Sequence, residues 1–333
     1  MNRHRTLTES SRTPLTVFAA LLAISVLPGC HGGPSVDGSF ERTYSVTTPV
    51  RLDLSNASGD VQINGSADGK VHVHGEVRAS GFGFGNPQRQ VDEIVSDPPI
   101  EQKSDTILVG KGFHFRHVSI AYQIEVPRDT TIETSLASGS QTISDVRGPV
   151  HARSASGSIR VERVEREVQL TTASGSIDAA AIGDELRASS ASGSITAANV
   201  KGDARLGAIS GSIHLKKPGG RVEMNSTSGS IEVQGADNDV KARNVSGRVE
   251  IQGDPSANVY WELKTVSGSV HLAVPPNSNF RFASEAVSGG IQTDIPIVIE
   301  EKGKHSLRAH LGNGGGRVEV HTVSGGIHVK GSS

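Results

Sequence analysis

Residues 156–161 read Ser156-Gly157-Ser158-Ile159-Arg160-Val161, and eighteen residues later the chain reads Ser174-Gly175-Ser176-Ile177-Asp178-Ala179. The same frame, Ser-Gly followed by a small or polar residue and with one exception an aliphatic one, starts at Ser138, Ser192, Ser210, Ser228 and Ser246, giving six consecutive intervals of 18. It continues at Ser267 and Ser288 after intervals of 21, and at Ser324 after 36. Thirty-six reads as two coils, with Ser306 at a degenerate midpoint. One earlier copy, Ser58-Gly59-Asp60-Val61, stands alone near the start. Self-similarity at a short fixed period is the mark of a solenoid, in which each repeat buries its apolar side only against its neighbours.

Aligning the copies separates inward from outward positions. Three residues after the serine stand Ile159, Ile177, Ile195, Ile213, Ile231 and Val249, and two residues further on Val161, Ala179, Ala197, Leu215, Val233 and Ile251. Between them lie Arg160, Asp178, Thr196, His214, Glu232 and Glu250. That alternation is a strand with one face inside. The Ser138 copy has Gln141 in the isoleucine column and recovers at Ile143. A second alternating run precedes each Ser-Gly, as in Val150-x-Ala152, Val168-x-Leu170, Leu186-x-Ala188 and Val222-x-Met224, so each coil holds two main strands.

The corners form an expected structural turn ladder: Ser138-Gly139, Ser156-Gly157, Ser174-Gly175, Ser192-Gly193, Ser210-Gly211 and Ser228-Gly229. Glycine there fits a corner that needs positive φ or close backbone approach, and the serines are expected to pass hydrogen bonds from coil to coil. A catalytic serine elbow is not indicated, because the serine precedes its glycine and recurs along the whole array. Aliphatic residues fall at offsets three, five, eight, twelve and fourteen, which is not the hexad spacing of left-handed acyltransferase helices. Parallel strands with short crossovers favour the right hand. The expected fold is all-β: a right-handed single-stranded parallel β-solenoid of 18–21-residue coils, with an irregular N-terminal region carrying an insertion.

Glycine is abundant, at 39 of 333 residues, while Phe, Tyr and Trp number 8, 3 and 1. None of these rings falls between Tyr122 and Tyr260, so the regular coils enclose only aliphatic side chains and the rings are expected to cap the ends. The pattern breaks over 80–117, read as an insertion projecting from the first coils, with a short helix over 87–97 and a strand at 106–109. Its Phe82/Phe84 and Phe113/Phe115 pairs are candidate partner-binding residues, since rings two apart share a face in an extended segment.

Arg3, Arg5 and Arg12 precede an uncharged apolar run from Leu15 to Leu27, which ends Leu27-Pro28-Gly29-Cys30. The run is too short to span a bilayer and has the length of a signal-peptide core. The four closing residues resemble the lipobox of bacterial lipoproteins, which implies cleavage before the chain's single cysteine and acylation of Cys30. The expected organisation is therefore a signal peptide over 1–29, a flexible tether over 30–38, N-terminal coils over 39–137 with the insertion at 80–117, and the regular solenoid over 138–333. A cell-envelope location follows, lipid-anchored at an outer membrane or a periplasm-facing surface.

With the export signal and these repeats in place, the chain resembles the bacterial "putative adhesin" family of β-strand-repeat envelope proteins. The resemblance rests on the repeated Ser-Gly-Ser-Ile, the strand ends Val126-Pro127 and Val274-Pro275, and the closing Gly314-Gly-Gly-Arg-Val-Glu-Val followed by Ser324-Gly-Gly-Ile. It implies surface binding by architecture and no defined active site.

Thirty-three basic and 35 acidic residues give a net charge of −2, which disfavours a nucleic-acid partner. One cysteine excludes an intramolecular disulfide and a Cys-based zinc cage. The outward column His214, Glu232, Glu250, His271 has the donors for a divalent metal, but an exposed face of screened charges is the favoured reading and no metal is expected. His72 and His74 share a strand face without a matching third ligand in sequence. Neither cofactor nor catalytic residue is expected. The expected function is a non-enzymatic lipoprotein scaffold that binds an envelope glycan or protein. A polysaccharide-acting β-helix enzyme and an accessory of envelope-stress signalling are the alternatives.

Overall fold

The computed structural model describes residues 35–81, 86–111, 117–256 and 258–332. Two long sheets, of 14 and 15 strands, face each other with the core between them. Each regular coil gives one strand to each sheet. Val150–Ser156 lies in the 15-stranded sheet, the chain turns at Ser156-Gly157, and Ile159–Val164 lies in the 14-stranded sheet. From Gln141 to Gln234 successive coils pair in parallel with no slip, so that Ile159 meets Ile177, then Ile195, Ile213 and Ile231. All five isoleucines are 0% exposed. Burying each contributes roughly 2–3 kcal/mol. A one-residue slip would turn the whole column to solvent, which fixes the register.

Gln141, the exception in that column, is 1% exposed yet satisfied. Its side-chain oxygen accepts from Thr134 Oγ1 at 2.5 Å and its amide donates to the Arg153 carbonyl at 3.0 Å. A buried amide with both ends bonded avoids the penalty of an orphaned polar group.

The chain does not climb the stack in simple order at either end. Val50–Ser58 and Val61–Ser66 form a coil directly against Thr130–Ser138 and Gln141–Val146, so the isolated Ser58 copy joins the serine line at Ser138. On the far side of that coil lie Val118–Pro127 and Thr106–Val109. Lys70–Ser80 then runs antiparallel between Val118–Pro127 and the edge strand Ser35–Ser45.

Residues 86–109 fold back onto this end rather than standing off it. Helix Pro87–Ser96 is capped by Asn86 and buries Val91 and Ile94, while Thr106–Val109 and Ile100–Lys103 extend the 15-stranded sheet. Val91 and Ile94, three apart in the helix, must cover the end of the core, which draws the segment inward. Phe40 packs edge-on to Tyr122, with centroids 6.3 Å apart, and a Cβ on Gly75 would stand 2.2 Å from the Phe40 ring.

At the other end the two-coil reading of the 36 residues from Ser288 to Ser324 is overturned. Ser306–Leu311 runs antiparallel to Phe280–Ser288 and is no coil of the stack. Val298–Lys302 hairpins onto it. The last coil, Gly316–Ser324 and Ile327–Gly331, slips between the coil ending at Val274 and the coil of Phe280–Ser288. The array thus closes on an antiparallel hairpin whose exposed strand carries Glu300, Glu301 and Lys302, a charged and bulged edge of the kind that resists further strand addition. Trp261 is wholly buried near this end, and its indole N–H donates to the Asn238 carbonyl at 2.9 Å.

A second corner recurs in every regular coil. Asp145, Arg163, Ala181, Asn199 and Lys217 have φ of 62, 56, 56, 55 and 52°, and Gly235 continues the column at 73°. Arg163 makes two 2.8 Å bonds to the Asp145 carboxylate of the previous coil, tying adjacent rungs at this corner.

Candidate functional site

The Ser-Gly corner bonds through main chain rather than through serine hydroxyls. Gly139 N–H donates to the Ser156 carbonyl at 3.1 Å, Gly157 to Ser174 at 2.9 Å, Gly175 to Ser192 at 3.1 Å, and Gly193, Gly211 and Gly229 repeat this on Ser210, Ser228 and Ser246. The side chains of Ser138, Ser156, Ser174, Ser192, Ser210 and Ser228 are exposed. The side-chain ladder stands two residues earlier, inside the corner. Thr172 Oγ1 and Ser190 Oγ donate to the Gly157 and Gly175 carbonyls at 3.4 and 3.2 Å, and Asn244 Nδ2 to Gly229 at 2.8 Å. The glycines are needed because the corners nearly touch. A Cβ on Gly157, at φ +136°, would lie 2.0 Å from the Gly139 carbonyl oxygen, and one on Gly193 would lie 2.0 Å from that of Gly175. These residues are structural.

Beside the corner runs a groove of about 1150 Å³ along the array axis. Its rungs, from Arg153 to Glu285, are nine, and at about 4.8 Å per rung they span roughly 40 Å. One wall is the residue before each Ser-Gly, and at Ile209, Val245, Val266, Val323 and Val287 it exposes aliphatic side chains by 58, 48, 49, 50 and 70%. The other wall is the residue two earlier: Arg153, Thr171, Ser189, Gly207, Asn225, Arg243, Lys264, His321 and Glu285. Reading the repeats one by one hides this surface, because Val323 lies between Val266 and Val287 only through the intercalated last coil. Stacking the residues before each Ser-Gly would reveal the aliphatic side chains from Ile209 onward, whereas the order of the last rungs carries no sequence signal.

The column His214, Glu232, Glu250, His271 does stand in consecutive rungs, and it extends to His328 across the intercalated coil. It resolves into separate pairs. His214 Nδ1 is 3.0 Å from Glu232 Oε2, Glu250 lies 3.7 Å from Lys330 Nζ, and His328 Nε2 is 2.7 Å from Asp294. The Gln234 amide, then His214, hold the Glu232 carboxyl below its ordinary range. Burial, then the nearby Arg248 charge, keep the His271 imidazole below its usual range, and its ring meets His328 edge-on at 5.9 Å. His72 and His74 likewise face different carboxylates, Asp68 at 2.9 Å and Glu41 at 3.4 Å. Among the described residues no group of three or more His, Cys, Asp or Glu is placed to hold a metal.

Cys30, Phe82, Phe84, Phe113 and Phe115 lie outside the described residues. Among the described residues no helix is long and apolar enough to cross a membrane.

Residues 184–330 match the family model described as Toastrack DUF4097. That span holds the Ser-Gly repeats from Ser192 to Ser324 and the closing Gly314-Gly-Gly-Arg-Val-Glu-Val. A solved structure described as a "putative cell adhesion protein" from Clostridium sporogenes aligns over 89% of this chain and 100% of its own, at 12% identity and a TM-score of 0.23. No curated protein matches the chain.

Proposed function

We propose that this adhesin-like repeat protein is a non-catalytic lipoprotein of the cell envelope, held to a membrane by acylated Cys30 and acting as a binding or structural scaffold. The observation that carries the reading is the unbroken serine line. Ser58, Ser138 and the serines up to Ser246 are joined by Ser267, Ser324 and Ser288 in consecutive rungs. Such an array is a stiff rod that displays a long shallow surface, suited to contact with an extended envelope glycan or a protein.

Four residues separate Cys30 from Ser35, where the first strand begins. Ser35 pairs with Ser80, and Ser80 N–H donates to the His117 carbonyl at 3.0 Å. The described residues flanking the Phe82/Phe84 and Phe113/Phe115 segments therefore meet at one edge of the first strand, and a partner-binding role for these rings is part of the proposal. Several acyl chains on one terminus hold a protein at a bilayer far better than one.

Fractionating a Cys30→Ser variant tests the anchor. The protein should leave the membrane fraction; an unchanged membrane share overturns the lipoprotein reading. Phe82→Ala with Phe84→Ala should leave the melting temperature nearly unchanged while reducing recovery of an envelope partner, and a loss of several kcal/mol of stability would assign the rings to the core instead.

A further inference from the structure

We infer that the groove beside the Ser-Gly corner is a self-association surface, on which two copies of the chain pack side by side and antiparallel about a two-fold axis through the rung of Asn225 and Thr227. The inference does not depend on Cys30 or on any envelope partner.

The rung order along the groove makes this strip complementary to its own reverse. Asn225 and Thr227 occupy the fifth of nine rungs, so an antiparallel two-fold at that rung sets the first against the ninth, the second against the eighth, and so on. On the apolar wall, the bulky half then meets the small half. Val287 faces Ala155 of the other copy, Val323 faces Ala173, Val266 faces Ala191 and Val245 faces Ile209, with Thr227 on itself. On the polar wall, Glu285 faces Arg153, the two ends of the column being opposite in charge. Arg153 makes no ion pair among the described residues, and Glu285 reaches only His321, at 3.4 Å, while 70% exposed. The two long cations in between meet the smallest residues of the wall: Arg243 faces Gly207 and Lys264 faces Ser189. Both cations are already held by Glu262, so none is buried without a counter-charge.

Parallel packing lacks these matches, because a two-fold along the rod sets each rung on its own copy with the two walls exchanged, so that Arg153 meets Ala155 and Glu285 meets Val287. The groove's backbone is fully used in rung-to-rung pairing, so an added strand has no main-chain partners there and the side chains carry recognition. A strip of roughly 40 Å by about 10 Å covers about 400 Å² per partner, half the ~800 Å² of a standard interface, which fits a weak, concentration-dependent dimer.

Cysteine scanning in the full chain carrying Cys30→Ser tests the arrangement, since the introduced thiol is then the only one. Thr227→Cys should form an intermolecular disulfide, because the axis brings Thr227 onto its own copy. Ala173→Cys should not, since its counterpart lies six rungs away, roughly 29 Å. Sedimentation should show a concentration-dependent dimer. Arg153→Glu should weaken it about tenfold or more, and Arg153→Glu with Glu285→Arg should restore it. A monomer at high micromolar concentration overturns the inference. So does a dimer in which Ala173→Cys cross-links as readily as Thr227→Cys, or one that the charge exchange fails to restore.

Discussion

Ser58 pairs with Ser138 in adjacent rungs, although the intervening chain builds all of the N-terminal cap but its edge strand Ser35–Ser45. The glycines behind them nearly touch as well: a Cβ on Gly139 would stand 2.3 Å from the Gly59 carbonyl oxygen. The corner geometry is therefore a property of the rung and not of chain continuity, and substitutions at a corner should behave alike wherever the rung comes from.

Gly157→Ala should cost about 3 kcal/mol, because the new Cβ meets a carbonyl oxygen of the previous corner at a positive φ. Ser156→Ala, by contrast, should change stability by no more than about 0.5 kcal/mol, since its hydroxyl is exposed. Denaturant unfolding of the two variants decides whether main chain or hydroxyls carry the ladder; equal losses would favour the hydroxyls.

At the second corner Ala181 holds φ of 56° without the freedom of glycine. A left-handed conformation costs an alanine about 1–2 kcal/mol, and glycine loses part of that gain through its looser unfolded chain. Ala181→Gly should therefore raise stability by up to about 1 kcal/mol. A drop in melting temperature would show that this corner is unstrained.

Removing one whole coil, Ser174 to Ala191, should leave a folded, shorter protein, because Ala173 then leads into Ser192 and the isoleucine column closes from Ile159 to Ile195. Removing nine residues should unfold the array by turning inward columns outward. Matching circular dichroism and melting curves for the two deletions would contradict a coil of this length.

Acid should weaken the fold from the carboxylate side. Arg163 holds Asp145, Lys264 holds Glu262, and the Gln234 amide followed by His214 holds Glu232, each below its ordinary range. A carboxyl with a lowered folded value stabilises above the unfolded value of about 4 and loses that contribution as pH falls through the folded one. The melting temperature should thus hold down to about pH 5 and decline below about pH 4. Each carboxyl keeps some contact with solvent, so screening holds the individual effects small. Asp145→Asn should flatten the decline, and an unchanged slope would remove that pair from the account.

The regular coils were legible because period and burial coincide: Ile159 to Ile231 repeat every 18 residues and every one is buried. The second corner was not, since Asp145, Arg163, Ala181, Asn199 and Lys217 share a backbone angle and no residue type. The ends were misjudged for another reason. Pairing between Ser267 and Ser324 is chosen by what remains unpaired after the rest has folded, and no local pattern at Ser306 records that competition. In the groove, the aliphatic residues before Ser-Gly were visible singly, but their order along the surface follows only from where the last coil inserts.

That insertion also dictates when each end can be completed. A chain delivered amino terminus first presents Val61–Ser66 long before Val118–Pro127 and Gln141–Val146, the two strands that flank it. The first coil must wait with both edges open, whereas each middle coil finds its support in the residues just delivered. The far end waits too, because Gly316–Ser324 has to enter between strands already made. Assembly is therefore seeded in the middle of the chain, where contacts are closest in sequence, and both termini are locked last.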